Sequence, residues 1–167
     1  MFSNDTNDHD QSLKNVSRFL FHEADLLDRR EYNMWLDLFD NDGIYWLPSS
    51  IDQTDMKRQV SIILEDKPIL KIRIDRLNNP QAQAVVPQRG MVHFISNIWV
   101  EETMEDDNII SVHSSIMLSE GTENGERLMT GRMTHHLRCS GDEFYIKLKR
   151  VDLVRMGGVY DPINILI

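Results

Sequence analysis

The sequence predicts an α+β fold in which N-terminal helices lie against a strongly bent antiparallel sheet. In the first part of the chain, apolar residues recur at three- and four-residue steps, which is typical of amphipathic helices. In the second half, four long segments alternate apolar and polar residues, which is typical of strands, and turn-forming residues separate them. An antiparallel meander that follows helices must cover one of its faces with them, and a bent sheet wrapped on a helix makes a cone.

One domain is expected from the length of 167 residues. A hydrophobic fraction of 41% is enough to form a core without disulfides or structural metals. Residues 1–11 are polar and have no period, so we expect a disordered or loosely draped arm there. No repeat or linker divides the rest, which predicts a single α+β cone domain over residues 12–167.

The N-terminal elements are two helices and a short strand. The first helix begins near Ser12, a suitable N-cap, and continues through Leu27. A second, shorter helix occupies residues 31–39, and the sequence Asp-Asn-Asp-Gly at 40–43 predicts the turn that ends it. Residues 44–47 then predict a short strand.

The central part of the chain predicts one more strand and one more helix. Residues 60–64 are typical of a short strand. Asp66 followed by Lys67 and Pro68 predicts a helix start, because proline at the first helical position loses no hydrogen bond. Helical spacing then continues to Leu77, before a loop.

The meander consists of four predicted strands, at residues 91–101, 109–119, 128–139 and 144–153. In the first of them, four apolar residues share one parity and predict its buried face: Val92, Phe94, Ile98 and Val100. In the last, the apolar set changes parity between Leu148 and Val151, which predicts a bulge or a strong bend.

The charge composition argues against several classes of partner. The net charge of −9 repels phosphate backbones and anionic membranes, so we expect neither nucleic acid nor a membrane as a partner. No stretch reaches the roughly 18 consecutive apolar residues of a membrane span. The first ten residues lack the features of a secretory signal. We therefore expect a soluble, cytoplasmic protein.

The cysteine and histidine content predicts no metal or cofactor on this chain. The single Cys139 cannot form an internal disulfide, a redox pair or an iron–sulfur cluster. The six histidines include no pair at zinc-ligand spacing. No nucleophile motif or phosphate-binding glycine loop is present, so we also expect no catalytic centre.

One set of residues keeps an alternative open. Tyr45, His93 and Asp42 could line the interior of a cone and supply acid–base groups to a free-standing dehydratase or isomerase. Asp42 also has a structural interpretation, because it belongs to the predicted turn.

The C-terminal tail is a candidate interface. Four of its last five residues are apolar, and we take them as interface candidates: Ile163, Ile165, Leu166 and Ile167. So apolar a segment requires a cover, which is either its own sheet or a neighbouring subunit.

Several segments of the sequence carry a family resemblance. The most specific is FLFHEADLLDRREYNMWLDLF at residues 19–39, with DGIYWLP at 42–48 behind it. Further matches follow in the same order at 66–77, 93–98, 150–153 and 164–166. Over about residues 15–167 the chain resembles the small (beta) subunits of aromatic-ring-hydroxylating dioxygenases, which are Rieske non-haem iron oxygenase systems.

The resemblance implies a cystatin-like cone, a fold shared with nuclear transport factors and scytalone dehydratase. It also implies a non-catalytic, structural subunit of a bacterial oxidoreductase of aromatic hydrocarbon catabolism. Three small and three large subunits would form a hexamer, in which the large (alpha) subunit carries the Rieske iron–sulfur cluster and the mononuclear iron. The aromatic substrate is not implied, because its pocket would lie on the other chain.

Overall fold

A computed structural model describes residues 5–79, 81, 90–101, 108–123, 125–154, 163 and 165–167, with the backbone alone for residues 5–10. The predicted α+β class is confirmed, with helices packed on a bent, six-stranded sheet. The elements are α1 (Asp5–Asp28), α2 (Tyr32–Asp37), β1 (Phe39–Leu47), β2 (Ile63–Asp66), α3 (Lys67–Leu77), β3 (Met91–Glu101), β4 (Ile109–Thr122), β5 (Gly125–Ser140) and β6 (Glu143–Leu153). The strand order is β2-β1-β6-β5-β4-β3, so β2 and β3 are the edges.

The predicted meander is confirmed. Strands β3 to β6 pair with their neighbours in sequence, all antiparallel, and their bounds lie within a few residues of the predicted ones. The last strand is irregular, as predicted, but earlier than expected: Leu137 pairs with Ile146 and His136 with Leu148, so the extra residue of β6 is Lys147. The sheet is nevertheless mixed, since β1 runs parallel to β6.

The turn predicted at residues 40–43 was wrong. These residues belong to β1, and the register of β1 with β6 shifts between Phe39 and Ile44. Gly43 has no left-handed φ, so it does not serve a turn. A Cβ placed there would lie 2.5 Å from the carbonyl oxygen of Ile146. The glycine is required by the close approach of two parallel strands, which a local sequence pattern does not reveal.

Helix and strand bounds differ from the predictions mainly at their starts. Helix α1 begins at Asp5, seven residues before the predicted N-cap, so that residues 5–11 are helical rather than a draped arm. Residues 5–11 contain no apolar residue, so the spacing of apolar residues could not predict that the helix extends over them. Strand β2 lies slightly later than predicted, at Ile63–Asp66. The start of α3 is confirmed, since the Asp66 carboxylate accepts the Ile69 amide as an N-cap.

The core lies between α1, α2 and the inner face of the sheet. The Trp35 indole of α2 is fully buried and meets Phe39 and Tyr45 edge to face, with ring centroids 4.9 and 5.7 Å away. On α1, Leu20 and Leu27 face the sheet and are 0% and 1% exposed. Burying such large apolar side chains is the main favourable term that holds the helices on the sheet.

The predicted buried face of β3 was wrong at Val92 and Phe94, which are 48% and 50% exposed. The register with β4 shifts between Ser96 and Trp99. This bulge reverses which parity faces the core, so Val100 is buried beyond it while His93 is buried before it. Apolar residues at even-numbered positions therefore lie on the outer face before the bulge, as Val92 and Phe94 do, and on the inner face after it, as Val100 does.

Candidate functional site

The three residues proposed as an acid–base set are each bonded to a different partner. The buried Tyr45 hydroxyl accepts the Ile167 amide (3.1 Å) and donates to the Ile167 carbonyl (3.4 Å). Burial raises the pKa of Tyr45 far above its ordinary value. Asp42 is exposed and pairs with Lys147. His93 bonds to Asp28, at the end of α1. The structure thus does not gather the three side chains around one reacting position.

A buried charge cluster lies instead between α1 and the sheet. Glu23, in the middle of α1, accepts hydrogen bonds at Oε1 from Trp35 Nε1 (3.1 Å) and from Lys149 Nζ (2.7 Å). Its Oε2 is 3.1 Å from Nε2 of His135. The side chains of Glu23, Lys149 and His135 are at most 3% exposed. The cluster therefore ties α1 to β5 and β6 from inside the cone.

The electrostatics of Glu23 follow from these contacts. Burial alone would raise the pKa of the carboxyl, because a charge is disfavoured away from water. The charges of Lys149 and His135, with their hydrogen bonds, outweigh burial and hold the pKa of Glu23 well below its usual range. Glu23 is thus a carboxylate, and it compensates the ammonium group of Lys149.

A second carboxylate–histidine pair fastens the end of α1 to β3. Asp28 Oδ1 is 2.7 Å from Nδ1 of His93 and also accepts the His93 amide at 3.1 Å. Burial lowers the pKa of His93, and the charge of Lys149 lowers it further, while the bond to Asp28 opposes both. A carboxylate only accepts, so Nδ1 of the neutral ring carries the proton that is donated to Asp28.

The outer face of the sheet carries exposed apolar side chains. Val92 lies opposite Ser119, Phe94 lies opposite Met117, and Leu128 lies opposite Ser119 on the other side. We call Val92, Phe94, Met117 and Leu128 the outer apolar patch; their side chains are between 38% and 58% exposed. Contiguous exposed apolar groups of this kind mark interaction surfaces.

A groove with a volume of about 950 Å³ opens between α1 and the start of β6. We call it the acidic groove, because carboxylates outnumber cations on its walls. It is lined by Gln11, Asn15, Arg18, Phe19, Phe21, His22, Asp37, Leu38, Asp142, Glu143, Phe144 and Tyr145.

The tail residues divide into two pairs. Leu166 and Ile167 are fully buried and belong to the chain's own core, close to the Tyr45 hydroxyl. Ile163 and Ile165 are half-buried and pack at the edge of this core. The chain's own core thus covers Leu166 and Ile167, whereas Ile163 and Ile165 remain partly accessible.

The described part of the chain contains neither a metal-binding group of side chains nor a membrane-spanning helix. No group of three or more His, Cys, Asp or Glu side chains there could hold a metal ion. None of the helices within these ranges is long and apolar enough to cross a membrane.

The roles of Glu23, Lys149 and His135 were not predicted from the sequence. A signal was present for Glu23, which occupies a position on the apolar stripe of α1, beside Leu20 and Leu27. A charge on an apolar stripe requires a buried partner of opposite sign. Its partner Lys149 lies 126 residues away in sequence and could not be identified from local pattern.

This chain is similar to known beta subunits of ring-hydroxylating dioxygenases in sequence and in fold. The family described as "Ring hydroxylating beta subunit" matches residues 22–156. The anthranilate 1,2-dioxygenase small subunit of Acinetobacter baylyi is 31% identical over 79% of this chain and 83% of its own length. The benzoate 1,2-dioxygenase beta subunit of Burkholderia mallei has the same fold, with a TM-score of 0.73, 24% identity and coverage of 90% of this chain and 95% of its own. A chain of naphthalene 1,2-dioxygenase aligns with a TM-score of 0.80 and 18% identity over 95% of this chain and 88% of its own.

Proposed function

Because this chain belongs to the family of ring hydroxylating beta subunits, we propose that it is the non-catalytic small subunit of an aromatic-ring-hydroxylating dioxygenase. The family match over residues 22–156 carries this conclusion. The chain is then one component of an oxidoreductase that hydroxylates or dihydroxylates aromatic compounds. Its contribution is to the assembly, and the oxidation takes place on the partner.

The interior of the cone supports a structural role. An independent dehydratase or isomerase would need acid–base groups that face a substrate. Here Tyr45 is bonded to Ile167 and His93 to Asp28. Glu23 is bonded in the same interior to Lys149 and Trp35. These groups hold α1, the tail and the sheet together, so they favour the subunit over the independent enzyme.

The outer apolar patch supports a partner for the sheet. Phe94 is half exposed within this patch, on the edge strand β3, and lies opposite the 38% exposed Met117. We assign this face to the large (alpha) subunit, which in our proposal carries the Rieske iron–sulfur cluster and the mononuclear iron. Binding of the large subunit would bury this apolar surface, which the isolated chain leaves exposed to water, and removing it from water stabilises the complex.

The complete assembly in this proposal has three small and three large subunits in a bacterial cytoplasm. The small subunits associate with one another as a trimer. The tail contributes to contact with a neighbour through Ile163 and Ile165, which are half-buried, while Leu166 and Ile167 support it from the core.

Co-expression of this chain with a large (alpha) subunit of a ring-hydroxylating dioxygenase from the same genome tests the function. We expect one complex of equimolar subunits, with all iron and all ring-hydroxylating activity lost when the large subunit is omitted. Light scattering gives the mass, and elemental analysis gives the iron content of each preparation. Stoichiometric iron on the isolated chain, or failure of the two chains to copurify, would contradict the proposal.

A further inference from the structure

The acidic groove combines an aromatic floor with a negatively charged rim. The Phe19 and Phe144 rings meet edge to face at 5.7 Å, and Phe21 beside them is 51% exposed. Three carboxylates stand on the walls, against the single guanidinium of Arg18: Asp37, Asp142 and Glu143. An occupant of this groove would need both apolar and positively charged side chains.

The loop between β1 and β2 presents those two properties on the same molecule. Lys57 is exposed, the side chain of Arg58 is 88% exposed, and Val60 is 87% exposed. We call the segment from Lys57 to Val60 the basic ridge. Ile62, which follows it, adds another exposed apolar side chain at 38%.

The ridge has a defined shape. The buried side-chain amide of Gln53 donates to Ser61 Oγ (3.0 Å) and to the Gln59 carbonyl (3.2 Å). The Asp55 carboxylate accepts the amides of Lys57 (2.8 Å) and Arg58 (3.2 Å). Its other oxygen lies 3.5 Å from Nε of Arg58, so Lys57 supplies the net positive charge of the tip. A preorganised loop loses less entropy on docking than a loose one.

The groove and the ridge lie toward opposite ends of β6. Glu143 and Phe144 begin that strand and line the groove. Near its other end, Arg150 donates to the carbonyl of Ile51 (3.2 Å) and anchors the ridge loop. The seven steps along the strand from residue 143 to residue 150 span roughly 23 Å. The two surfaces therefore cannot meet within one molecule along β6, but they can meet between molecules.

We propose that the acidic groove of one copy of this chain receives the basic ridge of a second copy, and that this contact, repeated head to tail, closes the trimer. The inference rests on the trimer of the proposed function. A ring of three identical subunits requires two different surfaces that complement each other, because a self-complementary surface makes only pairs. The groove and the ridge are such surfaces, complementary in charge and both partly apolar.

Charge reversal tests the contact. Asp142→Lys places a cation on the groove, and Lys57→Glu places an anion on the ridge; both positions are exposed, so both variants are expected to fold. Each single variant should weaken trimer formation by about tenfold or more, because like charges then face each other. The chain that carries both reversals should regain the trimer, since the charges are complementary again. Sedimentation equilibrium of the chain, alone and in complex with the large subunit, measures these constants.

Two variants on α3 serve as matched controls. Asp75→Lys and Lys71→Glu make the same changes of charge at exposed sites outside both surfaces, and should leave the trimer intact. Trimers that survive Asp142→Lys and Lys57→Glu unchanged would overturn the contact and leave the small-subunit function standing. Loss of the trimer without rescue in the doubly reversed chain would overturn the pairing of groove with ridge. A wild-type chain that is monomeric both alone and in the complex would overturn the trimer itself.

Discussion

The carboxylate of Glu23 compensates the ammonium group of Lys149 in a place from which water is excluded, so each charge depends on the other. Glu23→Gln keeps the shape of the side chain and leaves Lys149 unpaired. We expect a loss of about 3–5 kcal/mol in the free energy of unfolding, measured by urea denaturation. Asp25→Asn, in the exposed pair with Arg29, is the control and should cost at most about 1 kcal/mol.

A paired replacement separates charge from packing at the same site. Glu23→Leu together with Lys149→Met removes both charges and keeps apolar volume. Replacing a buried ion pair with apolar residues is often neutral or stabilising, so the double variant should be more stable than Glu23→Gln. A double variant less stable than the single one would show that the hydrogen bonds to Trp35 and His135 matter more than the charge.

His93 makes stability depend on pH. In the unfolded chain its ring takes up a proton near pH 6.5, whereas burial, the dominant cause, lowers the pKa of the folded ring. Below pH 6.5 the unfolded chain therefore binds more protons, and stability falls until the folded ring is protonated too. The groups that face this ring are Asp28 and Glu23 on α1 and Lys149 on β6.

We expect Tm to fall between about pH 7 and pH 5, and to fall less steeply in His93→Gln, which keeps an N–H donor for Asp28 but does not titrate in this range. Some slope should remain, because burial and the neighbouring His113 and His135 also lower the pKa of His136. Equal slopes in the wild type and His93→Gln would exclude His93 as a source of the pH dependence.

At the scale of elements, Gly43 sets how closely β1 approaches β6. Gly43→Ala would place a methyl group 2.5 Å from the Ile146 carbonyl, and backbone cannot move aside as a side chain can. We expect a loss of about 1–3 kcal/mol, measured by thermal unfolding. Gly90→Ala is the matched control, because a methyl group added there would meet nothing within 4 Å and the residue is exposed. Equal stabilities of the two variants would contradict the close-approach explanation.

The elements that could be predicted from sequence are those held by local pattern. The strands of the meander and the capped start of α3 were found, because alternation and an Asp-x-Pro signal are properties of neighbouring residues. The parallel pairing of β1 with β6 was not found, because it joins residues that lie far apart in the chain. Nor was the exposure of Phe94, which depends on a bulge several residues further along β3. The charge cluster was missed for the same reason as the parallel pair, since Glu23 and Lys149 meet only in the folded molecule.

At the scale of the whole molecule, the outer apolar patch predicts how this chain meets its large subunit. Phe94→Ser removes the aromatic group of the patch, which is half exposed in the isolated chain. We expect Tm to change little, and affinity for the large subunit to fall about tenfold or more, as loss of an aromatic anchor does at interfaces. Surface plasmon resonance with immobilised large subunit measures the affinity.

The control for this variant is Ile72→Ser on α3, which replaces a side chain of similar exposure (54%) outside the patch. It should leave the affinity unchanged. Equal affinity of Phe94→Ser and wild type for the large subunit would contradict the assignment of this contact to the outer apolar patch.

The parallel pairing of β1 with β6 also constrains the order in which a ribosome-bound chain can mature. Strand β1 ends at Leu47, but its parallel neighbour β6 begins only at Glu143. Contacts so distant in sequence form late, because the entropy of closing a long loop is lost before these contacts contribute any stabilising energy. During synthesis Trp35 and Tyr45 therefore lack their final cover until β6 has emerged. In that interval an apolar N-terminal segment is exposed to chaperones and to aggregation.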